Sequence, residues 1–245
     1  MIRVLILGGT RDAVDLAGAA AALDGTEVVY SLAGVTREPN LPGCQVRTGG
    51  FGGPEGLRKY IQSTRIDAVV DATHPFAAEI AANALAACRQ TGVPRLKFLR
   101  QPWQPGPDDD WIEAASTSDA AAYLADHPGT AFLTIGGREL AAFAGLPNCR
   151  FVVRYIHPPK GGVRLENCAV VVDRGPFDAS GESGLMRTRG VQYLITKNSG
   201  GEGAAAKLGA ARSLGIPVIM IARPAPPEGK IAGTEAEAIA WLQSL

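Results

Sequence analysis

Residues 3 to 10 read Arg3-Val-Leu-Ile-Leu-Gly-Gly-Thr10, an apolar run of four residues that ends in two glycines. A short, continuously apolar run predicts a strand that is buried on both faces. Glycine after such a strand allows a tight turn, and the Ala-rich stretch from Arg11 to Leu23 has the period of a helix. Strand, glycine turn and helix in this order predict the start of a parallel α/β sheet.

The same alternation continues along the chain and predicts an α/β protein with two Rossmann-like parallel sheets. In the first half the predicted strands are Arg3 to Leu7, Glu27 to Leu32, Gln45 to Arg47, Ala68 to Asp71 and Arg95 to Leu99, and the predicted helices are Arg11 to Leu23, Pro54 to Ser63 and Phe76 to Gln90. In the second half the predicted strands are Ala131 to Ile135, Phe151 to Tyr155, Ala169 to Val172, Tyr193 to Thr196 and Val218 to Ile221, and a closing helix runs from Thr234 to Leu242. The proline-rich, acidic stretch from Gln101 to Asp110 separates the halves. We therefore expect domains at 1–100 and 101–245, with the ligands in the cleft between them.

Composition excludes several classes of protein. The 24 basic and 24 acidic residues balance, which argues against a general nucleic-acid binder. No C-x-x-C pair is present among Cys44, Cys88, Cys149 and Cys168, so neither a zinc site nor a disulfide framework is expected. No apolar run reaches transmembrane length and no basic and apolar leader precedes the first strand. These features predict a cytoplasmic protein without a metal or a membrane partner.

Charge is unevenly distributed along the chain. Residues 1 to 137 carry a net charge of −4, whereas residues 138 to 223 hold 12 basic and 6 acidic side chains, a net charge of +6. Eighteen of the 24 basic residues are Arg, which suits bidentate recognition of carboxylate or phosphate. An anionic ligand at the second half is one interpretation, and an ordinary solvated face is the other.

The glycine turn after the first strand predicts a dinucleotide site. Gly8 and Gly9 let a pyrophosphate approach the first amides of the helix that follows. The full G-x-G-x-x-G fingerprint is absent, because Thr10 and Ala13 stand where glycines are expected. A plain structural turn is therefore the alternative.

The end of the second predicted strand indicates which dinucleotide would bind. Tyr30-Ser-Leu-Ala-Gly34 has no acid for a ribose 2′-hydroxyl, and it offers Ser31, followed by Arg37. Ser31 and Arg37 could hold a 2′-phosphate, which favours NADP; an ordinary polar loop is the alternative. The loop Thr48-Gly-Gly-Phe-Gly-Gly53 suggests backbone pressed against a ligand, or else a mobile surface loop.

His74 lies in Asp71-Ala-Thr-His-Pro-Phe-Ala77, where the fourth predicted strand ends. Because it precedes Pro75, its backbone is held extended and cannot continue the strand ladder. Histidine is a natural proton donor near neutral pH. We interpret His74 as a general acid, a helix cap or a partner of a substrate carboxylate.

In the second half, a predicted strand is twice followed by a pair of glycines and a predicted helix, as in the first half. The two loops are Thr134-Ile-Gly-Gly-Arg-Glu139 and Lys197-Asn-Ser-Gly-Gly-Glu-Gly203. Backbone amides together with Lys197, Asn198 and Ser199 would form an anion cradle, and a turn with only a capping role is the alternative. The second loop lacks the Gly-Lys-Ser/Thr ending of a Walker A motif, which disfavours phosphoryl transfer from ATP.

A set of motifs resembles the precorrin-6A reductase family over nearly the whole chain. The set contains Gly8-Gly-Thr10, Gly49-Gly-Phe51-Gly-Gly53, Asp71-Ala-Thr-His-Pro-Phe-Ala77, Arg100 with Trp103, Lys197-Asn-Ser-Gly-Gly201, Ala210-Ala-Arg-x-Leu-Gly-Ile-Pro-Val218 and Met220-Ile-Ala-Arg-Pro224. The resemblance implies two Rossmann-like domains and an NADPH-dependent reduction of a macrocycle double bond, which converts precorrin-6A into precorrin-6B on the way to cobalamin. It also implies a polycarboxylate tetrapyrrole as partner and a hand-over to other enzymes of the pathway. A cobalt-bearing substrate stays open.

Together, the motifs and the resemblance predict two sets of site residues. The predicted cofactor-binding residues are Gly8, Gly9, Thr10, Arg11, Ser31, Arg37, Gly50, Phe51, Gly52 and Thr73. The predicted substrate-binding residues are His74, Pro75, Phe76, Arg138, Lys197, Asn198, Ser199, Gly200 and Gly201, with His74 also the candidate catalytic acid. A two-domain glycosyltransferase and a non-catalytic precorrin- or nucleotide-binding protein are the rival interpretations.

Overall fold

The computed structural model describes residues 1–33, 40–156, 161–173, 175 and 177–245. Within them the strands are β1 (Ile2–Leu7), β2 (Thr26–Leu32), β3 (Cys44–Thr48), β4 (Ala68–Asp71), β5 (Arg95–Phe98), β6 (Trp111–Ala114), β7 (Thr130–Leu133), β8 (Arg150–Tyr155), β9 (Cys168–Val172), β10 (Tyr193–Lys197), β11 (Val218–Ile221) and β12 (Lys230–Ala232). The α-helices are α1 (Arg11–Ala21), α2 (Pro54–Ser63), α3 (Ala78–Thr91), α4 (Thr117–Asp126), α5 (Ala179–Thr188), α6 (Ala206–Leu214) and α7 (Glu235–Gln243), and two 3-10 helices cover Gly137–Phe143 and Glu202–Ala204. None of the helices in these ranges has the length and apolar character needed to cross a membrane.

The chain divides into two units, each built around one six-stranded sheet. Unit 1 contains residues 1–101 and 224–245, and unit 2 contains residues 102–223. The strand order is β3-β2-β1-β4-β5-β12 in unit 1 and β9-β8-β7-β10-β11-β6 in unit 2, and all the pairs are parallel. Both orders follow the Rossmann pattern, in which the strand order reverses between the third and fourth positions of the sheet. The prediction of an α/β protein with two Rossmann-like parallel sheets is confirmed.

The edge strand at the sixth position of each sheet was missed by the sequence analysis. β12 pairs with β5, so residues 224–245 belong to unit 1, and the predicted second domain of 101–245 is wrong for this last segment. β6 pairs with β11 at the edge of the other sheet. Both strands have at most four residues and include a charged residue, which gives too little periodic pattern to indicate a strand.

Unit 1 shows why the apolar run at its start is continuous. Side chains alternate across a strand, so Val4 and Ile6 pack against α1 and α7, while Leu5 and Leu7 pack against α2 and α3. All four side chains are at most 3% exposed. Both faces of β1 are therefore covered by helices, as a parallel sheet requires.

Candidate functional site

In unit 1 the carboxyl ends of β1 and β4 lie side by side, with Leu7 paired to Asp71. The strand order reverses between these two strands, because β2 and β3 follow on one side and β5 and β12 on the other. Ligands of open α/β sheets bind beyond the carboxyl ends at such a switch point. The loops that begin at Gly8 and Ala72 leave the sheet at this place.

The turn from β1 into α1 has the conformation that the two glycines predict. A Cβ atom on Gly8 would lie 2.2 Å from the ring of Tyr30, so only glycine fits there. Gly9 has a φ of +116°, and its amide donates to the Tyr30 hydroxyl at 3.1 Å. Thr10 is the N-cap of α1, and its Oγ1 accepts from the Ala13 amide at 3.1 Å. The other first-turn amides have no acceptor within the helix, which suits this end of α1 to an anion.

A cavity next to this turn brings together six of the predicted cofactor-binding residues. They are Gly8, Ser31, Gly50, Phe51, Gly52 and Thr73. Gly52 needs glycine for its φ of +78°, whereas Gly50 has no positive φ and a Cβ atom there would meet nothing in the protein. Neither backbone conformation nor packing explains Gly50, and close approach of a flat ligand would explain it. The lining therefore fits a nucleotide cofactor.

Arg47 is a cation of this region that the sequence analysis placed in a strand but gave no role. It pairs with Ser31 across β2 and β3, and its guanidinium donates to the Ser31 hydroxyl at 2.6 Å. The guanidinium carbon also lies 3.9 Å from the centre of the Phe51 ring. A stacked Arg beside a hydroxyl, at the carboxyl ends of these two strands, is suited to bind a phosphate. The register of β2 and β3 places Arg47 beside Ser31, and the sequence alone does not show which residues of two strands lie side by side.

Arg11 and Arg37 were both predicted to bind the cofactor, and the structure describes only the first of them. Arg11 lies on the exposed face of α1 and pairs with Asp15 at 3.0 Å, outside the cavity lining. Arg37 lies outside the residues that the structure describes. Their roles toward a cofactor stay predictions.

A buried group of charges lies directly behind the loop that contains Thr73. Asp71 is fully buried and accepts from Lys97 Nζ at 3.0 Å and from Arg95 at 3.3 Å. The Thr73 hydroxyl donates to Asp71 at 2.6 Å, and Lys97 Nζ donates to the Thr73 carbonyl and hydroxyl, each at 3.2 Å. Burial lowers the pKa of Lys97, and the charge of Asp71 opposes that shift. This network fixes Thr73 at the edge of the cavity.

His74 follows Thr73 in a tight turn before α3. The Phe76 amide donates to His74 Nδ1 at 3.3 Å, and the Ala77 amide donates to the His74 carbonyl at 2.8 Å. The N-cap of α3 is Ala77, so the interpretation of His74 as its helix cap is wrong. Because Nδ1 accepts a hydrogen bond, the neutral ring carries its proton on Nε2. The acid role of His74, and substrate contacts for His74, Pro75 and Phe76, stay predictions.

The corresponding switch point in unit 2 lies between β7 and β10, where Leu133 pairs with Ile195. Lys197 ends β10, and its Nζ pairs with the carboxylate of Glu139 at 2.5 Å. Glu139 belongs to the 3-10 helix that follows Gly136, and Arg138 beside it is exposed. The two glycine loops predicted in this half of the chain therefore meet at one sheet edge.

The loop after β10 is fixed to Trp103 through Asn198. The Asn198 side chain accepts from the Trp103 amide at 2.8 Å and donates to the Trp103 carbonyl at 3.0 Å. The Trp103 indole donates to the Gly201 carbonyl at 2.9 Å. Both polar atoms of the Asn198 side chain bond to Trp103, and the second N–H of its amide leaves one donor for an anion, so the predicted role of Asn198 stays a prediction. Gly200 and Gly201 have φ values of +65° and +77°, which explains the two glycines.

Ser199 is 7% exposed, and its amide donates to the Lys197 carbonyl at 2.7 Å. The α-helix after this loop begins at Ala206, because the 3-10 helix Glu202–Ala204 comes first. The anion cradle predicted for the loop amides, Lys197, Asn198 and Ser199 stays a prediction. Lys197 is the residue of the loop whose side chain has the charge to meet an anion.

Comparisons with known proteins indicate one family along nearly the whole chain. The family model described as Precorrin-6x reductase CbiJ/CobK matches residues 3–243. A precorrin-6A reductase of Rhodococcus erythropolis is 46% identical over 100% of this chain and 99% of its own, and one of Rhodobacter capsulatus is 43% identical over 99% and 96%. A solved structure described as CobK precorrin-6A reductase superposes with a TM-score of 0.93 at 43% identity, covering 100% of this chain and 97% of that one. The chain belongs to the Precorrin-6x reductase CbiJ/CobK family.

Proposed function

We propose that this chain uses NADPH to reduce a ring double bond of precorrin-6A, giving precorrin-6B, in cobalamin biosynthesis. Family membership supports an oxidoreductase that acts on a precorrin. The observation that carries the choice of NADPH is the pair of Ser31 and Arg47 beside the cavity of unit 1, at a strand end without an acid. An acid at that place would favour the 2′-hydroxyl of NADH instead.

The cofactor would be held by unit 1. The first-turn amides of α1 would meet its pyrophosphate, and Ser31 and Arg47 would meet its 2′-phosphate. Gly50 and Phe51 would lie against a flat ring of the cofactor. The bound cofactor supplies the hydride, and the protein contributes binding and orientation.

The substrate is a tetrapyrrole with several acetate and propionate arms, so its binding requires cations. The segment 138–223 has a net charge of +6, and it includes Lys197 and the exposed Arg138. Both side chains belong to the two loops at the switch point of unit 2. We assign carboxylate contacts to these two residues, and Glu139 holds Lys197 in place before the substrate binds.

Reduction of a double bond needs a proton as well as a hydride. His74 follows Thr73, which lines the cofactor cavity, and the turn to Ala77 holds its ring. We assign His74 a contact with the substrate, as the proton donor or as a carboxylate partner. The reaction in the cytoplasm and the hand-over of product to other pathway enzymes are part of the same proposal.

Rapid mixing of the protein with NADPH and precorrin-6A tests this function. We expect absorbance at the nicotinamide band to fall as precorrin-6B appears in equal amount. Binding of precorrin without loss of that absorbance would instead indicate a carrier, and transfer from a sugar nucleotide would indicate a glycosyltransferase. A parallel reaction with cobalt-precorrin-6A shows which form of the macrocycle the protein prefers.

A further inference from the structure

Thr73 lies between the cavity of unit 1 and the buried charges of Asp71 and Lys97. It lines the cavity and is 5% exposed. The register of β4 and β5 pairs Asp71 with Lys97, so a carboxylate and an ammonium group lie together where the loop of Thr73 begins. Both groups bond to Thr73, and their chemistry decides what Thr73 can offer to a ligand.

The direction of the hydrogen bonds at Thr73 follows from the charges of its partners. A carboxylate can only accept a hydrogen bond, and an ammonium group can only donate one. The Thr73 hydroxyl therefore donates its one proton to Asp71, at 2.6 Å, and accepts from Lys97 Nζ, at 3.2 Å. The Thr73 amide also donates to Asp71, at 3.2 Å. Both donors of Thr73 are thus used within the protein.

The partners of Thr73 are themselves held in place. The three N–H groups of Lys97 have three acceptors, which are one oxygen of Asp71 and the carbonyl and hydroxyl of Thr73. The other oxygen of Asp71 accepts from Arg95 at 3.3 Å, and Arg95 also donates to the Glu228 carbonyl at 2.9 Å. The three charged side chains are at most 4% exposed. Water therefore has little access to these hydrogen bonds, and the burial strengthens them.

One hydrogen-bonding position of the Thr73 hydroxyl is left for a ligand, and it is an acceptor. A hydroxyl oxygen has two lone pairs, and among the described residues Lys97 is the donor to only one of them. A ligand with an N–H or O–H group at this place gains a hydrogen bond. A ligand that brings an acceptor oxygen instead meets another oxygen without a proton between them.

We propose that Thr73 selects the cofactor by accepting a hydrogen bond from it, and that Asp71 and Lys97 are positioning residues that hold the Thr73 hydroxyl as an acceptor. The inference rests on the proposed function for the identity of the ligand. Two groups of the cofactor have the required chemistry, the carboxamide N–H of the nicotinamide and a ribose hydroxyl. The experiment separates these two sources.

The experiment measures the affinities of NADP⁺ and of its acetylpyridine analogue by calorimetric titration. The analogue has a methyl group in place of the carboxamide nitrogen, so it keeps the carbonyl oxygen and lacks the N–H donor. Thr73→Val removes the hydroxyl, and Thr73→Ser keeps it. Thr91→Val is the matched control, because the Thr91 hydroxyl bonds to backbone carbonyls of α3 and Thr91 does not line the cavity.

The two sources give different patterns of affinity. If the carboxamide is the donor, the original protein binds NADP⁺ about 3- to 10-fold more tightly than the analogue, and Thr73→Val binds the two equally. If a ribose hydroxyl is the donor, the original protein binds both equally, and Thr73→Val weakens both by about 3- to 10-fold. Thr73→Ser and Thr91→Val should stay within about twofold of the original protein. Original affinities in Thr73→Val would overturn the inference, and so would equal losses in Thr73→Val and Thr73→Ser.

The positioning role of Lys97 is tested by its coupling to Thr73. Lys97→Met leaves Asp71 paired with Arg95, one charge of each sign, so the variant should stay folded, and its melting temperature checks this. Without Lys97 the Thr73 hydroxyl and carbonyl lose a donor that holds them. Thr73→Val should therefore cost less NADP⁺ affinity in Lys97→Met than in the original protein. Equal costs in the two backgrounds would show that Lys97 has only a structural role and would overturn this part of the inference.

The outcomes also separate this inference from the proposed function. If Lys97→Met does not fold, the comparison of Thr73→Val with Thr73→Ser still decides whether Thr73 accepts from the cofactor. A protein that shows the expected affinities and does not reduce precorrin-6A would refute the proposed function alone. A protein that binds neither NADP⁺ nor its analogue would refute both.

Discussion

Unit 1 and unit 2 have the same strand order and present different side chains at the carboxyl ends of their central strands. In unit 1 these ends are followed by Gly8 and Gly9 and by the loop of Thr73, and the charges of Asp71 and Lys97 are buried behind them. In unit 2 the corresponding ends are followed by the loop of Gly136 and by Lys197, which is only partly buried. One backbone frame therefore presents two different sets of side chains when its loops differ, and this is how one fold can serve different ligands.

The two units also differ in the role of their buried charged side chains. Asp71 neutralises two cations, Arg95 and Lys97, and the group serves to hold Thr73 in position. Glu182 neutralises one cation, Arg154, and that pair lines a cavity. In unit 1 the charges support a loop, and in unit 2 the largely buried pair forms part of a cavity wall.

The largest expected effect comes from removing the shared carboxylate of unit 1. Asp71→Ala leaves two cations buried without a counter-charge, so we expect it to lower the free energy of unfolding by about 3 to 5 kcal/mol. Glu182→Ala leaves one cation, whose side chain is 14% exposed, and it should cost less. Urea unfolding of both variants measures the difference. A larger loss for Glu182→Ala would contradict this comparison of the two units.

The next effect tests whether unit 1 selects its cofactor through Ser31 and Arg47. The original protein should bind NADPH more tightly than NADH, and Arg47→Ala should remove about 1.5 to 3 kcal/mol of that preference, roughly 10- to 100-fold in affinity. Arg89→Ala is the matched control, because Arg89 lies in the last turn of α3 and pairs with Glu228 on the surface. Titration of the three proteins with both cofactors gives the six affinities. Equal affinities of the original protein for NADPH and NADH would refute the assignment.

An effect of similar size, with a wider expected range, is expected on kcat/KM when the lysine at the switch point of unit 2 is replaced. Lys197→Ala should raise KM for precorrin-6A more than it lowers kcat, because a carboxylate contact is made in both the ground and the transition state. We expect a cost of about 1 to 3 kcal/mol in kcat/KM, and substrate affinity should weaken with added salt. NADPH affinity should barely change. Loss of NADPH binding with precorrin binding intact would show that the two ligands are assigned to the wrong units.

The sequence predicted the features that depend on neighbouring residues. Apolar runs, glycine turns and the closing helix that begins near Thr234 each leave a local pattern, and the structure contains them. The sixth strand of each sheet was missed because β6 and β12 are short and depend on a partner strand for their pairing. The return of residues 224–245 to unit 1 follows from that pairing.

The site could be predicted only in part, because several of its residues depend on contacts with distant parts of the chain. A buried lysine such as Lys97 resembles a surface lysine in the sequence, and only its distance to Asp71 shows its role. Arg47 lies beside Ser31 only because of the register between β2 and β3. Asn198 bonds to Trp103, which lies 95 positions earlier in the chain. Contacts of this length leave no pattern in a single sequence.

The smallest effect is expected at the four cysteines, and two of them offer a direct comparison of the units. Cys44 begins β3 and Cys168 begins β9, the edge strands that correspond to each other in the two sheets. Burial raises the pKa of both thiols, and it raises that of Cys88 to about 11, so these thiols stay protonated near neutral pH. Hydride transfer needs no thiolate, and single Ala or Ser replacements of Cys44, Cys88, Cys149 and Cys168 should leave turnover within several-fold. Loss of turnover in a variant that stays folded and binds NADPH would show that a thiol takes part in the reaction, and the position of that cysteine would identify the unit in which it acts.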